Sequence, residues 1–227
     1  MANRILRIQS EATVQDTRMT TSCGSKLSVR AGVAICLLAA ASTAHAHSPI
    51  KGIGGFYAGF LHPVTGLEHV LPFAALGILA GQQGDRVAPA LFLFAVMLML
   101  GAMAALWVPA LPYIGLLNIL SGILLGGLVA AAWRLPVALL YVIAIVFGLT
   151  HGFANGAALN GAFKPYLFIP GLGLAGLVVP AWLMIVTDLI LRQRYNWMRI
   201  AVRVAGSWIT AIGVLVLATS GRAILHS

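Results

Sequence analysis

The sequence is poor in charged residues and especially poor in acids. Of 227 residues, 8% are charged and only five are Asp or Glu, whereas 60% are hydrophobic and the mean hydropathy is +0.97. A chain with this composition cannot cover its apolar surface with polar side chains in one soluble domain. These values exclude a soluble globular protein and predict an integral membrane protein.

Cysteine is almost absent as well. Cys23 and Cys36 are the two cysteines of the chain. Both precede the segment STAHA, in which Ala44 and Ala46 form an A-x-A cleavage site after the apolar run AGVAICLLAAA. Basic residues before an apolar run and a small-residue site are typical of a secretory signal. We therefore predict that residues 1–46 are a cleaved extension and signal peptide, and that the mature chain has no disulfide and no thiolate ligand.

The basic balance of the chain has a simple interpretation in a membrane protein. The formal net charge is +9 and the isoelectric point is near 10.4, values that would suggest nucleic-acid binding in a soluble protein. Here the basic residues lie between apolar runs or in the N-terminal extension, so they are topology signals and no nucleic-acid partner is expected. The expected partner is the lipid bilayer.

The mature chain contains six apolar stretches, each long enough to cross a hydrocarbon core of about 30 Å. They cover residues 57–82, 86–107, 112–133, 136–158, 167–191 and 199–220. The loops between them are short, which leaves no room for a soluble domain. We predict an all-α membrane protein in which residues 47–227 form a polytopic bundle of six transmembrane helices. Such a bundle is compatible with a homo-oligomer.

The loop charges predict an orientation in a bacterial inner membrane. With the mature N-terminus in the periplasm, five basic residues fall on the cytoplasmic side and three on the periplasmic side. The first group is Arg86, Arg134, Arg192, Arg194 and Arg199, and the second is Lys51, Lys164 and Arg222. This bias follows the positive-inside rule and predicts that both mature termini are periplasmic.

Only three acids remain in the mature chain: Glu68, Asp85 and Asp188. Asp85 lies in a loop. Asp188 precedes Arg192 by four residues, the spacing of neighbours on a helix, so an interfacial ion pair is favoured over a transport role. Glu68 has no basic residue within one turn. It is therefore the acid for which a function must be sought.

Glu68 belongs to the segment HPVTGLEHV, residues 62–70. In a continuous helix His62 and His69 would lie about 10 Å apart on one face, too far to share one ion. A break near Pro63 and Gly66 would shorten this distance, or the two histidines are successive stations on a path. The alternative without a function is an interfacial His62 and a protonated, hydrogen-bonded Glu68.

A second polar segment, GLTHGFANG at residues 148–156, lies within the fourth apolar stretch. Its glycines recur every four residues and form a smooth stripe on which another helix can pack closely. His151 and Asn155 are four residues apart and can reach one site. An isolated intramembrane histidine often only bonds a neighbouring helix, but two such segments favour a shared metal site. Imidazole ligands favour nickel, cobalt, zinc or copper over magnesium and calcium.

The two segments resemble the signatures of one family. HPVTGLEH resembles the HPxxGxDH signature of the HupE/UreJ family, and THGFANG resembles its second, FHGxA-type signature. The resemblance implies a secondary permease for nickel, sometimes cobalt, associated with hydrogenase or urease. It implicates His62, Glu68, His69 and His151 in metal binding, with His47 as a capture ligand after signal cleavage.

The chain departs from the family pattern at two places. Glu68 replaces the usual aspartate, and Asn155 and Gly156 stand where relatives often have a histidine or an acid. With these residues the predicted metal ligands are His47, His62, Glu68, His69, His151 and Asn155. The metal is the transported ion, and no cofactor is expected. The sequence contains nothing that resembles a nucleotide-binding domain, so ATP hydrolysis is not expected to drive transport directly.

Two other functions remain open at this point. Six helices, the pair Ser121–Gly122 and His151 superficially resemble a rhomboid-like intramembrane serine protease. The sequence NILSG lacks the GxSG of such enzymes, and the protease leaves Glu68 and His69 without a role. We therefore expect no enzymatic activity and intact uptake after Ser121→Ala. A metal-binding accessory membrane protein without transport is the other alternative.

The two segments also suggest an internal repeat. GFLH at residues 59–62 and GLTH at 148–151 open similar motifs in the first and fourth stretches. A repeat of three helices must be inverted in the membrane, and such repeats meet around central sites built from broken helices.

Overall fold

A computed structural model of the chain describes residues 54–109, 111–159, 163–193 and 195–225. Within these ranges it forms seven α-helices and no strand. The helices are α1 (Gly55–Thr65), α2 (Leu67–Gln83), α3 (Ala88–Ala104), α4 (Ile114–Ala131), α5 (Val137–Ala157), α6 (Pro165–Arg192) and α7 (Asn196–Leu225), with a short 3₁₀ turn at Asp85–Val87. The predicted signal peptide and His47 lie outside the described residues.

The helices have the length and composition of membrane spans. Helices α3 to α7 each provide a stretch long and apolar enough to cross a bilayer, and α1 with α2 forms a sixth if the bent pair is one span. Large apolar side chains also cover the outer surface; Phe92, Ile185 and Leu215 are each more than half exposed. Lipid tails solvate such side chains, whereas water does not. The protein is thus a polytopic helical membrane protein, as the composition predicted.

The first span is broken where the sequence predicted a break. Gly66 has an extended backbone (φ −96°, ψ 126°) and separates α1 from α2, which meet at an angle of 79°. Pro63 lies just before this break and Pro72 lies in the second turn of α2. Since proline has no N–H, Pro72 leaves the helical bond to the Glu68 carbonyl unmade.

Close helix contacts show the relative directions of the spans. Along α5, Gly148, Gly152 and Gly156 lie against the backbone carbonyls of Phe94, Leu98 and Ala102 of α3, in the same order. Helices α3 and α5 are therefore parallel. The predicted glycine stripe is confirmed as the surface that allows this close approach.

Further glycine contacts give the relative directions of the other spans. Along α2, Gly77 contacts Pro180 and Gly81 contacts Met184, so α2 and α6 are also parallel. Helices α4 and α7 are antiparallel, because Gly126 contacts Thr210 whereas Gly206 contacts Ala130. With α1 and α2 counted as one span, consecutive spans alternate in direction as a membrane chain requires.

The packing of the spans is reciprocal between the two halves. In the first span Gly59 lies against the backbone of Phe168 in the fifth, and in the fourth span Gly148 lies against the backbone of Phe94 in the second. Each glycine precedes the motif histidine, His62 or His151, by three residues. The third and sixth spans pair with each other. This is the contact pattern that an inverted three-span repeat predicts.

At the end of the bundle where α2, α4 and α6 finish, polar side chains join the helices. Gln83 donates to the Trp133 carbonyl (2.9 Å) and accepts from the Leu135 N–H (3.0 Å), which fixes the loop after α4. Asp188 accepts a hydrogen bond from Arg192 Nε at 2.6 Å. The predicted ion pair of Asp188 is thereby confirmed.

Candidate metal centre

Four polar side chains from three helices meet in the interior of the bundle. His69 lies in the first turn of α2, Ser121 in the middle of α4, and His151 with Asn155 on two successive turns of α5. All four are at most 6% exposed. Polar groups buried this deeply are costly unless they bond one another or a ligand.

Ser121 determines which nitrogen of His151 carries the proton. The Ser121 hydroxyl donates to the Asn118 carbonyl at 2.7 Å, so its single proton is used. It also lies 2.8 Å from His151 Nε2 and must there be the acceptor. A neutral His151 therefore has its proton on Nε2 and a lone pair on Nδ1.

Asn155 performs the corresponding function for His69. The Asn155 Nδ2 group donates to the His151 carbonyl at 2.7 Å, a bond that fixes the orientation of the amide because the oxygen would be repelled there. The same Nδ2 lies 3.3 Å from His69 Nδ1. Since Nδ2 is a donor only, the bond requires a lone pair on that imidazole nitrogen.

Each imidazole thus has a lone pair on the nitrogen nearest to the other ring. His69 Nδ1 and His151 Nδ1 are 3.4 Å apart, longer than an ordinary N–H···N bond. With metal–nitrogen distances of about 2.0–2.1 Å, a tetrahedral ion separates two nitrogen ligands by about 3.4 Å. The pair has the separation needed to hold one transition-metal ion, which would take the His69 Nδ1 lone pair from the Asn155 amide.

Asn155 can supply a third donor. Its Oδ1 atom is buried and has no hydrogen-bond partner among the described residues, although the amide nitrogen is used twice. An unbonded buried acceptor costs about 1–3 kcal/mol, which a cation would recover. Asn155 was predicted as a ligand from its spacing to His151, and the structure brings the two together.

The described residues contain no group of three or more His, Cys, Asp and Glu side chains that could hold a metal. The donor set at this centre is therefore two imidazoles and one neutral amide, without an acid or a thiolate. A site with only a few neutral ligands binds a divalent ion weakly, so the ion can be released again. A tight structural metal site is not what this arrangement provides.

His62 continues the row of imidazoles towards the end of α1. Its ring centroid lies 6.0 Å from that of His69, and the His69 ring lies 5.7 Å from that of His151. The break at Gly66 brings His62 nearer than the 10 Å estimated for a continuous helix. His62 is partly exposed and the other two are buried, so the row runs from the rim of the bundle into its interior.

Glu68 lies apart from the paired imidazoles. Its carboxylate lies beside Gly66 and lines a cavity of about 20 Å³ together with Asn118 and Gly122. Neighbouring residues of a helix point about 100° apart, so Glu68 and His69 face different sides of α2. The structure does not place Glu68 at the histidine pair, and its predicted role as a direct ligand stays a prediction.

Two polar residues of this region were not anticipated as members of the site. Asn118 is buried, and neither atom of its side-chain amide has a partner among the described residues. Ser121 bonds His151, although it was expected to be dispensable. The available signal was the rarity of Asn and Ser with i, i+3 spacing in an apolar helix; the facing helix could not be known.

The Ser121–His151 contact also bears on the protease alternative. A serine nucleophile gives its proton to the base, whereas Ser121 donates its hydroxyl hydrogen bond to the Asn118 carbonyl. Both side chains are at most 1% exposed, and the Phe73 ring lies 5.8 Å from the His151 ring. The Ser121–His151 distance is that of a hydrogen-bonded dyad, and the bundle encloses both side chains.

These observations define a class of protein: a polytopic membrane protein with a buried histidine pair between its spans. Comparison with known sequences identifies the family. The model of the HupE / UreJ protein family matches residues 35–216, and the chain belongs to that family. The resemblance of the two motifs is thereby confirmed.

One curated relative shows how far the similarity extends. Protein HupE of Rhizobium leguminosarum bv. viciae is 30% identical over 128 residues, which are 55% of this chain and 65% of that protein. The alignment thus spans somewhat less than two thirds of the relative. No solved structure matches the chain.

Proposed function

We propose that this protein is a permease for a divalent transition-metal ion, nickel or cobalt, that supplies metalloenzyme maturation such as that of hydrogenase or urease. The observation that carries the proposal is the His69–His151 pair, whose Nδ1 atoms face each other at 3.4 Å inside the bundle. Membership of the HupE/UreJ family supports the same function.

The row of three imidazoles suggests how an ion moves. An ion enters at His62, passes to His69 and is then shared by His69 and His151. Adjacent ring centroids are 6.0 and 5.7 Å apart, close enough for the ion to exchange one imidazole ligand for the next. The membrane potential supplies about 2.3 kcal/mol per charge per 100 mV, and about twice that for a divalent ion. A potential that is negative inside drives the cation towards the cytoplasm, and the predicted orientation, with both termini periplasmic, places the start of the first span on the entry side.

Radiolabelled nickel and cobalt uptake tests the proposal. A host strain without its own high-affinity nickel importer should accumulate more ion from trace medium when it makes this protein. Uptake should be lost in His69→Ala at equal membrane expression. Equal accumulation with and without the wild-type protein would contradict the permease.

Glu68 has a separate role in this proposal. It is the acid nearest in sequence to a donor set that otherwise has no negative charge, so it offsets the charge of an approaching divalent ion. Glu68→Gln should abolish uptake, whereas the purified variant should still bind cobalt at the histidine pair. Asp85→Asn, at a loop acid that is 81% exposed, is the matched control.

Wild-type uptake by Glu68→Gln would show that the glutamate is structural. Loss of cobalt binding together with uptake would instead make Glu68 a direct ligand. Glu68→Asp, which restores the residue usual in the family, separates charge from side-chain length.

An intramembrane serine protease is a second candidate because Ser121 Oγ lies 2.8 Å from His151 Nε2. A fluorophosphonate probe distinguishes the two functions. The permease predicts no labelling of Ser121. Labelling that disappears in Ser121→Ala, together with cleavage of a membrane substrate, would establish the protease.

A metal-binding accessory protein is separated from a permease by flux. Proteoliposomes that contain the purified protein and an internal metal-sensitive dye should report cobalt entry. Binding without entry would assign the accessory role.

A further inference from the structure

The end of the bundle where α2, α4 and α6 finish contains a basic pocket of about 460 Å³. Its lining includes four arginines and one acid: Arg134, Arg192, Arg199, Arg203 and Asp188. No other feature of the described residues concentrates so much charge of one sign. The row of histidines does not include any of these side chains.

The positive charge of the pocket is only partly compensated. Arg192 is paired with Asp188 at 2.6 Å and with Asp85 at 3.7 Å, and Arg203 donates to the Ala130 carbonyl at 2.8 Å. Arg134 and Arg199 make no hydrogen bond or ion pair with any described residue. Two guanidinium groups on the wall of a concave site are therefore available for an anion.

The depth of the pocket relative to the membrane is marked by aromatic residues. Trp133 precedes Arg134, and Tyr195 and Trp197 precede Arg199 in sequence. All three aromatic side chains are more than 60% exposed. Exposed Trp and Tyr at span ends are typical of the headgroup region of a bilayer. The arginines thus lie at the level of lipid phosphates.

An apolar groove of about 270 Å³ adjoins the basic pocket. It is formed by α2, α6 and α7, which also contribute to the pocket, and nearly all of its lining is apolar. Successive residues belong to the two spaces: Thr187 lines the groove and Asp188 the pocket, and Met198 and Arg199 divide in the same way. A ligand with an anionic head and an apolar tail would fill both.

We propose that this paired site binds an anionic phospholipid, with its phosphate group between Arg134 and Arg199 and an acyl chain in the groove between α6 and α7. A free phosphate ester has the same head chemistry but no use for the groove. Arginines that only determine membrane orientation need neither a pocket nor an adjacent apolar groove. The proposal does not depend on which ion the protein binds.

Native mass spectrometry of the purified protein tests the head of the site. The protein should retain phosphatidylglycerol and not phosphatidylcholine. Arg134→Gln with Arg199→Gln should weaken phosphatidylglycerol binding by about thirty-fold, the effect of two basic side chains near an anionic headgroup. Arg86→Gln, at an exposed arginine outside the pocket, should bind as the wild type does.

The tail of the site is tested by filling the groove. Ala201→Phe adds bulk to the groove without changing charge and should weaken phosphatidylglycerol binding, whereas Val204→Phe, on α7 outside both spaces, should not. Equal retention of phosphatidylcholine, or full binding by the double arginine variant, would overturn the proposal. Equally tight binding of water-soluble glycerophosphoglycerol would overturn the lipid and assign the pocket to a free phosphate ester.

Discussion

The two histidine-bearing segments use opposite kinds of backbone for one site. HPVTGLEHV is interrupted at Gly66, and the chain bends by 79° between α1 and α2. GLTHGFANG is part of the continuous 21-residue helix α5. The bend brings His62 near His69, whereas the straight helix holds His151 and Asn155 at fixed positions against α3. One half of the site is thus arranged by a break and the other by close packing.

This difference suggests a division of labour between the halves. The rigid half contains Asn155, which bonds both histidines, and its His151 is bonded by Ser121 of α4. The broken half contains the partly exposed His62 and the acid Glu68. We expect the histidine pair, one histidine from each half, to determine affinity, and His62 and Glu68 of the broken half to determine entry.

The largest effect is expected from removing a ligand in the rigid half. His151→Ala should lower cobalt affinity by more than about 100-fold, beyond the 10–100-fold typical of losing an outer-shell partner. His62→Ala should leave equilibrium affinity nearly unchanged and slow uptake. Calorimetric titration and uptake kinetics of the two variants measure the contrast. Equal affinity losses would remove the distinction between the histidine pair and the entry residue His62.

The packing of the rigid half can be broken with one methyl group. A Cβ at Gly152 would collide with the Leu98 carbonyl, so Gly152→Ala should destabilise the protein by about 1–3 kcal/mol, the cost of overpacking. Gly127→Ala on α4 is the control, because a Cβ there meets nothing within 4 Å. Thermal unfolding in detergent compares them. Matching stabilities would show that α3 and α5 do not need the glycine stripe.

A smaller effect is expected from Ser121. Ser121→Ala removes the acceptor of the His151 Nε2 proton, so the imidazole can adopt the other tautomer and cobalt affinity should fall by about ten-fold. Nitrogen chemical shifts of His151 should report the change in tautomer. Ser207→Ala, at an exposed serine of α7, should alter neither quantity. Unchanged affinity and tautomer in Ser121→Ala would return Ser121 to the dispensable role that the sequence suggested.

Much of the fold followed from the sequence, and particular residues show why the site did not. Apolar stretches of spanning length predicted the helices, and Pro63 with Gly66 predicted the break, because both properties are local to the chain. The partner of His151 was not local. Ser121 lies thirty residues earlier on another helix, and its register against α5 depends on packing that no spacing reveals.

Glu68 and His69 illustrate the same limit at shorter range. The motif contains both, but adjacent residues of a helix face different directions. Only the position of α2 among its neighbours shows that His69 points towards α5 and Glu68 towards the cavity beside Asn118. The residue types could be chosen from the sequence, whereas their grouping could not.

X-ray absorption of the cobalt-loaded protein tests the central claim most directly. The claim is that His69 and His151 hold one ion between their Nδ1 atoms. The wild-type protein should show two imidazole ligands at one cobalt, and His69→Ala and His151→Ala should each show one. Cobalt without imidazole ligands, or a spectrum that neither variant changes, would contradict the account.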